Sequence, residues 1–359
     1  MLNRRQLPLT RIDARRIALI KPSALGDVVH AMPVLNALRQ RFPSAKISWV
    51  VNRSYESLLT GHPALDETLP FDRQALKKGM RSTVTGISRF ASQLRRRRFD
   101  LVIDLQGLLR SGLMTAATGA ARRVGLGTAR EGSHWFYTDV IPTPLAKEQH
   151  AIDRYWLVAE ALGVGHVTKH FDVPVADMAR AWAAEQLKAY PRPWLVFGVG
   201  ARWITKRWPP ESFAVLARRS QDRFGGTVLF IGAPDETPLA QQVASLLNGP
   251  CRDYTGKTTL PQLAALLERA DVMVGNDTGP LHLAAALGRP CVAPYTCTQI
   301  RRHGPYGPQH RAVETNVWCK GSYIKKCDRL ECMADLLPDR LWPFLEEILT
   351  TWANNSLSD

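Results

Sequence analysis

The chain has 359 residues, of which 45% are hydrophobic and 22% charged, which excludes a disordered polymer and exceeds what one ordinary core organises. Two domains are therefore expected. The 47 Lys and Arg outnumber the 32 Asp and Glu, giving a formal net charge of +15 and calling for an anionic partner: nucleic acid, an anionic membrane surface or a phosphorylated substrate.

Short apolar runs alternate with amphipathic stretches from the beginning, the pattern of an α/β protein with parallel sheets. In the first half, strands are predicted at 16–20, 46–51, 100–105 and 122–125, with helices over 34–42 and 151–162. The first strand runs into Lys21-Pro22-Ser23, after which Gly26 and Asp27 open a helix. Gly26 allows close backbone approach or an unusual φ, and Asp27 sits at the positive end of the helix dipole. On this loop alone, a helix cap and a catalytic carboxylate are both open readings for Asp27. The loop is neither a GxxxxGK[ST] phosphate loop nor a GxGxxG dinucleotide loop.

Next comes a basic run: Arg73, Lys77, Lys78 and Arg81, then Arg89 and Arg95 to Arg98. Such a run is commonly a solvated helix face. With the overall charge it also suits an anionic acceptor or lipid headgroups. Few aromatic residues interleave with it, which argues against a nucleic-acid partner.

The segment 172–193 carries Pro174, Pro191 and Pro193 and marks a domain boundary, placed so that 1–180 and 181–337 form two domains and 338–359 a terminal helix and tail. Beyond it the strand pattern restarts at 194–199, 226–231, 271–275 and 291–294, with helices over 211–224 and 260–270. The loop after 199 brings Lys206 and Arg207 to a strand end, where a cation meets a phosphate, flanked by Trp203 and Trp208 as a wall for a planar or sugar group. After 231, Asp235 and Glu236 are expected exposed at the sheet edge, where a carboxylate can accept from ribose hydroxyls. The strand at 271–275 then ends in Asn276-Asp277-Thr278-Gly279-Pro280-Leu281-His282. Pro280 suits the first helical turn, and the free amides there form a place for a phosphate or diphosphate. Leu341, Leu345, Ile348, Leu349 and Trp352 space out one last amphipathic helix.

Cys319, Cys327 and Cys332 cluster downstream of His303 and His310 but lack the CxxC pairs of a zinc site. Packed thiols are the default reading, with structural zinc or a redox pair the lesser one. No apolar stretch is long enough to span a bilayer and the basic N-terminus lacks a signal sequence, so a reducing cytosol is expected.

Four of these stretches, "KPSALGDVVHAMP", "DLVIDLQGLLRS", "KRWPPESF" and "GNDTGPLHLAAALGRP", resemble the lipopolysaccharide heptosyltransferase family, glycosyltransferase family 9. "QHAIDRY" and "TAREGSHWFY" bring the chain nearest to the heptosyltransferase I branch. The resemblance implies a GT-B fold: two Rossmann-like, doubly wound parallel-sheet domains facing a central cleft. It implies an inverting, metal-independent transfer of heptose from ADP-heptose to the Kdo inner-core region of lipopolysaccharide, with no cofactor, at the inner face of the inner membrane. Carried over by motif, Asp27 is the general base and Lys206 stabilises the leaving diphosphate. Glu236, Asp277, Thr278, Gly279, Pro280 and His282 hold the donor. Ser23, Gly26, Gln106, Arg73, Lys77, Lys78 and Arg81 face the anionic, lipid-linked acceptor. A same-family transferase with another sugar nucleotide or acceptor is the alternative, and a non-catalytic basic protein that binds nucleic acid or membrane is a third.

Overall fold

In the computed structural model, residues 8–72, 80–145 and 147–356 are described, the first three of the second stretch by backbone alone. Arg73, Lys77 and Lys78 lie outside them, and Arg81 is placed only by its helix backbone. The chain divides into two compact units, Met1–Pro174 and Val175–Asp359.

Unit 1 runs β1 (Arg16–Ile20), α1 (Leu25–Arg41), β2 (Lys46–Asn52), α2 (Arg53–Glu56), β3 (Glu67–Phe71), α3 (Met80–Arg96), β4 (Leu101–Asp104), α4 (Leu109–Thr118), β5 (Arg122–Leu126), β6 (Asp139–Ile141) and α5 (Ala151–Ala161). Its six strands are all parallel and lie in the order β3-β2-β1-β4-β5-β6. The central strands are buried along nearly their whole length because helices cover both faces, so they read as apolar runs without alternation. The α4 helix ends on Gly119, whose φ of 63° is the left-handed geometry that glycine adopts without strain.

Unit 2 repeats the plan with α6 (Asp177–Leu187), β7 (Trp194–Gly198), α7 (Pro210–Phe224), β8 (Thr227–Phe230), α8 (Thr237–Ala244), β9 (Cys251–Asp253), α9 (Leu260–Arg269), β10 (Val272–Gly275), α10 (Gly279–Ala286), β11 (Cys291–Tyr295), α11 (Ile300–His303), β12 (Arg311–Glu314), α12 (Glu331–Asp335) and α13 (Pro338–Ser356). Its strand order, β12-β11-β10-β7-β8-β9, is the same winding read from the other edge. Helix starts follow local chemistry: Thr259 caps α9 and exchanges bonds with Gln262, and Pro210 and Pro280 occupy first turns whose N–H groups need no partner.

Strand order reverses between β1 and β4 in unit 1 and between β7 and β10 in unit 2. At each reversal two adjacent loops leave the carboxyl ends of paired strands in opposite directions, the position where such sheets bind ligands. Ile20 stands opposite Asp104 in one sheet and Gly198 opposite Gly275 in the other.

The last helix belongs to the core of unit 2. Leu341, Leu345 and Leu349 are fully buried against a cluster that includes Trp208, Phe213, Phe197 and Phe230. Trp208, expected as a surface wall, is instead completely enclosed and donates its indole N–H to Leu336 O at 2.7 Å. The four strands that the sequence did not suggest, β3, β6, β9 and β12, are the four sheet edges.

Truncating Leu345 to Ala is expected to cost about 2–5 kcal/mol, the range for emptying a packed core position. Leu337→Ala, at a residue 55% exposed, is expected to stay within about 0.5 kcal/mol. Urea unfolding monitored by tryptophan fluorescence separates the two.

Candidate active site

In unit 1 the loop after β1 carries Asp27 and joins the loop after β4 through Lys21. Gly26 lies inside α1 in helical geometry rather than in a left-handed turn, and Asp27 is the third residue of that helix. Its Oδ2 accepts from Ala24 N at 3.2 Å, half of a capping box, because alanine has no side chain to return the bond. Its Oδ1 accepts from the Tyr155 hydroxyl at 3.0 Å, and Lys21 Nζ stands 3.5 Å from the same oxygen. Tyr155 reaches it because α5 packs along α1. The carboxylate is held on three sides yet its side chain remains 40% exposed, whereas Lys21 is 3% exposed. The capping reading thus accounts for Oδ2, while Oδ1 is held by Tyr155 and Lys21.

Lys21 lies across the Tyr155 ring, 4.8 Å from its centroid, and donates to Leu105 O at 3.3 Å. Burial works against its charge, but Asp27, Tyr155 and Asp104 outweigh burial and hold its pKa above the ordinary lysine value. Burial, reinforced by Asp27, pushes the Tyr155 phenol up to about 12. Both groups therefore keep their protons at neutral pH and act as fixed donors.

The second loop is organised by Asp104. Its Oδ1 accepts from Gln106 N at 2.8 Å and Gly107 N at 3.1 Å, and its Oδ2 from the Tyr137 hydroxyl at 2.8 Å. A Cβ on Gly125 would fall 2.0 Å from the Tyr137 ring, so this strand position has to be glycine for the tyrosine to reach Asp104. Burial raises the pKa of Asp104. The loop so fixed carries Gln106, whose buried Oε1 has no hydrogen-bond partner among the described residues. Ser23 is half-buried at the turn before Ala24.

In unit 2 the centre is Asp277, 6% exposed at the end of β10. Its Oδ2 accepts from Lys206 Nζ at 2.6 Å and Thr298 Oγ1 at 2.7 Å, and its Oδ1 lies 3.2 Å from His282 Nε2. Burial would raise its pKa, but the His282 hydrogen bond and the Lys206 charge reverse that and hold it far below the usual carboxylate range. The Asp277 oxygens expected to meet sugar hydroxyls are thus engaged within the protein, where they aim Lys206 and His282. Thr278, Gly279 and Pro280 stay partly exposed at the start of α10, and Thr278 forms no side-chain cap bond. The amides of that first turn remain directed outward.

Asn276, which sequence reasoning passed over, ties this loop to the one after β7. Fully buried, it accepts from Trp208 N at 3.1 Å and donates to Val199 O at 2.9 Å and Gly200 O at 3.2 Å. Its position between a buried strand and Asp277 was the available signal.

Glu236, expected exposed, is half-buried with Oε2 accepting from Ala233 N at 2.8 Å. A Cβ on Gly200 would fall 2.0 Å from its carboxyl carbon, and one on Gly232 2.5 Å from Oε2, so the two glycines make its berth. Burial raises its pKa. Trp203 is the partly exposed aromatic here: Lys206 and Lys325 lie over its ring at 4.8 and 5.1 Å. Arg202, Arg207, Lys325 and Lys326 line the cavity beside it with Trp203 and Ile204.

Because Asp277 keeps its charge in the folded state below the unfolded value of about 4, its pairing stabilises the protein above that pH and is lost as pH falls further. Asp277→Asn is expected to cost about 3–5 kcal/mol at pH 7 by leaving Lys206 unmatched. The gap to the parent should narrow below pH ~4. Urea midpoints at pH 7 and pH 3.5 test this; a gap independent of pH would exclude the carboxylate charge as its source.

The sequence profile of glycosyltransferase family 9 (heptosyltransferase) matches residues 87–333. Lipopolysaccharide heptosyltransferase 1 of Pseudomonas aeruginosa is 32% identical over 87% of this chain and 87% of its own length. The Escherichia coli K12 lipopolysaccharide heptosyltransferase 1 is 30% identical over 81% of this chain and 91% of its own. Among solved structures, a family 9 glycosyl transferase from Veillonella parvula superposes with TM-score 0.80 at 25% identity, covering 96% of this chain and 99% of that one. The E. coli heptosyltransferase WaaC with ADP gives 0.73 at 26%, covering 93% and 99%. With its two Rossmann-type sheets and a strand-end site in each, the chain belongs to glycosyltransferase family 9, the heptosyltransferases, and is a glycosyltransferase of the GT-B fold.

Proposed function

We propose that the protein transfers a heptose from ADP-heptose to the anionic Kdo inner-core region of a lipid-linked lipopolysaccharide precursor, with inversion at the anomeric carbon. The observation that carries this reading is Asp27: a carboxylate fixed by Ala24, Tyr155 and Lys21 while its side chain stays 40% exposed at a strand-order reversal. In the proposed step Asp27 takes the proton of the acceptor hydroxyl as that oxygen bonds to the anomeric carbon. The bond from that carbon to the diphosphate oxygen breaks, and ADP departs with the electron pair.

Lys206, held by Asp277, meets the charge that develops on the diphosphate, and the outward amides at the start of α10 add to it. His282 is oriented toward the same group by Asp277. Glu236 in its glycine berth offers a carboxylate to ribose hydroxyls. Gln106 and Ser23, both partly exposed, face the acceptor. The relatives' names support the lipopolysaccharide acceptor, and the solved WaaC structure with ADP-2-deoxy-2-fluoro heptose, 26% identical, supports the donor.

A lipid-linked acceptor implies work at a membrane surface. Among the described residues no helix is long and apolar enough to cross a bilayer. Unit 1 does expose Val84 and Ile87 on α3, Leu109 and Leu113 on α4, and Trp135, at 78% exposure, on the short turn Ser133–Phe136. These elements adjoin, α3 against α4 and α4 against the turn, and α3 also carries exposed Arg89, Arg95 and Arg96. Apolar anchors beside cations suit peripheral docking on anionic lipid at the cytoplasmic face.

Asp27→Asn is expected to lower kcat by about 10²–10⁴ while donor binding, read as the thermal shift with ADP-heptose, is unchanged. Lys206→Ala should lower kcat by about 10²–10³. Undiminished transfer by Asp27→Asn would end the general-base assignment, and a thermal shift with UDP- or GDP-linked sugars but none with ADP-heptose would end the donor assignment.

Changing Arg89, Arg95 and Arg96 together to Gln should weaken sedimentation with vesicles containing anionic lipid by about 1 kcal/mol per charge at low salt. Neutral vesicles should show little difference. Equal binding of parent and variant to anionic vesicles would remove α3 from the docking surface.

A further inference from the structure

Four of the six cysteines converge on one place in unit 2. Cys297 follows β11, Cys319 and Cys327 lie in the segment 315–330, and Cys332 sits in α12. Together with Thr205, Thr296, Ser322 and Ile324 they line a cavity of about 30 Å³, the room taken by one water molecule or one ion. All are free thiols, and Cys251 and Cys291 do not line the cavity.

Buried thiols are ordinarily small apolar fillers in close contact with their neighbours. Here two buried thiols, Cys297 and Cys332, and two partly buried ones, Cys319 and Cys327, surround a space instead. The segment that carries two of them has neither helix nor strand over 315–330, and it leaves Trp318 80% exposed. Tyr323 and Leu330 adopt positive φ of 61° and 46°, conformations that a side chain disfavours by roughly 1–2 kcal/mol. A long excursion with so little core of its own is the kind of structure that a tetrahedral metal commonly replaces a core in.

The geometry points to a site for one thiophilic divalent cation of the zinc class, held by the four thiolates of Cys297, Cys319, Cys327 and Cys332. Binding releases four protons to solvent and forms four metal–sulfur bonds, with no electron transferred. The resulting double negative charge is matched by Lys320, Lys325 and Lys326, which flank Cys319 and Cys327 in sequence. Among the described residues no three donor side chains are already spaced as a finished ligand set. Binding therefore draws the segment inward onto Cys297.

That movement has a consequence for the neighbouring loop. The segment is tied down by Gly321 N to Thr296 O at 3.2 Å, Tyr323 N to Cys297 O at 2.8 Å and Thr205 Oγ1 to Ile324 O at 2.6 Å. Thr205 precedes Lys206, and Lys325 covers the same Trp203 ring as Lys206. The cation thus stiffens the wall beside Lys206. The site itself stands on the cysteines and does not depend on the proposed substrates.

The test is a titration of the reduced, metal-free full chain with Co²⁺, then Zn²⁺. One equivalent of Co²⁺ is expected to give sulfur-to-cobalt charge-transfer absorption with tetrahedral d–d bands, bleached by one equivalent of Zn²⁺, and Zn²⁺ should shield four thiols from alkylation while leaving Cys251 reactive. Cys327→Ser and Cys297→Ser should each weaken binding at least tenfold, and Cys251→Ser should not. Metal-free Cys327→Ser should melt with the metal-free parent, which separates lost ligation from lost folding. No charge-transfer band in the fully reduced protein, or a band that survives Cys327→Ser, overturns the assignment.

Discussion

A carboxylate taken out of water has to be matched by cations and donors, and Asp277 imposes that condition on unit 2. Its two oxygens draw Lys206 from the loop after β7, Thr298 from the loop after β11 and His282 from the first turns of α10. Three segments, one of them 71 residues away in sequence, are thereby fixed around one buried charge, and Asn276 locks that distant one from the neighbouring position. The reactive-looking residues of this half are held by a group whose own oxygens are already satisfied. An isolated charge would be too costly to keep there; a fully matched one serves as a positioning device.

Unit 1 solves a related problem with the balance reversed. Asp104 is as buried as Asp277, but its hydrogen-bond partners are backbone amides and the hydroxyls of Ser111 and Tyr137, and burial prevails so that its pKa rises. It shapes a loop, and its charge acts on Lys21 from across the strand pair rather than through a direct ion pair. Lys21 is buried beside the half-exposed Asp27. The two units share a strand order, and the same reversal point therefore carries an accessible carboxylate in one and an aimed lysine in the other.

The central strands were legible because each is a short, continuous apolar run, a pattern that parallel strands covered on both faces must have. The edge strands were not. In β12 every residue is only partly buried, and in β9 Cys251-Arg252-Asp253 offers no apolar run at all. An edge strand owes its conformation to the neighbour it pairs with, and that neighbour is invisible in a local window. The same limit applied to side chains. Lys206 and Asp277 could be singled out because each sits at a strand end in a loop with turn chemistry. Whether Asp277 would face a sugar or a lysine depended on a partner 71 residues away. Trp208 looked like Trp203 in sequence, but α13 and the chain around Leu336 close over Trp208 and leave Trp203 outside. The four-cysteine cavity was half visible: three cysteines lie close together, whereas Cys297 joins them only through the fold.

The way α13 completes the second core also fixes an order of events. By Pro174 unit 1 has all six of its strands and the helices that cover them, so it can fold while synthesis continues. Unit 2 begins its sheet at Trp194, but the indole of Trp208 waits for a carbonyl 128 residues later, and the apolar face over Phe213 waits for Leu341, Leu345 and Leu349. Until those residues emerge, the growing chain presents an open hydrophobic face beside a finished domain. The vulnerable interval in the life of this protein is therefore the making of its second half, and anything that binds exposed apolar surface will meet it then.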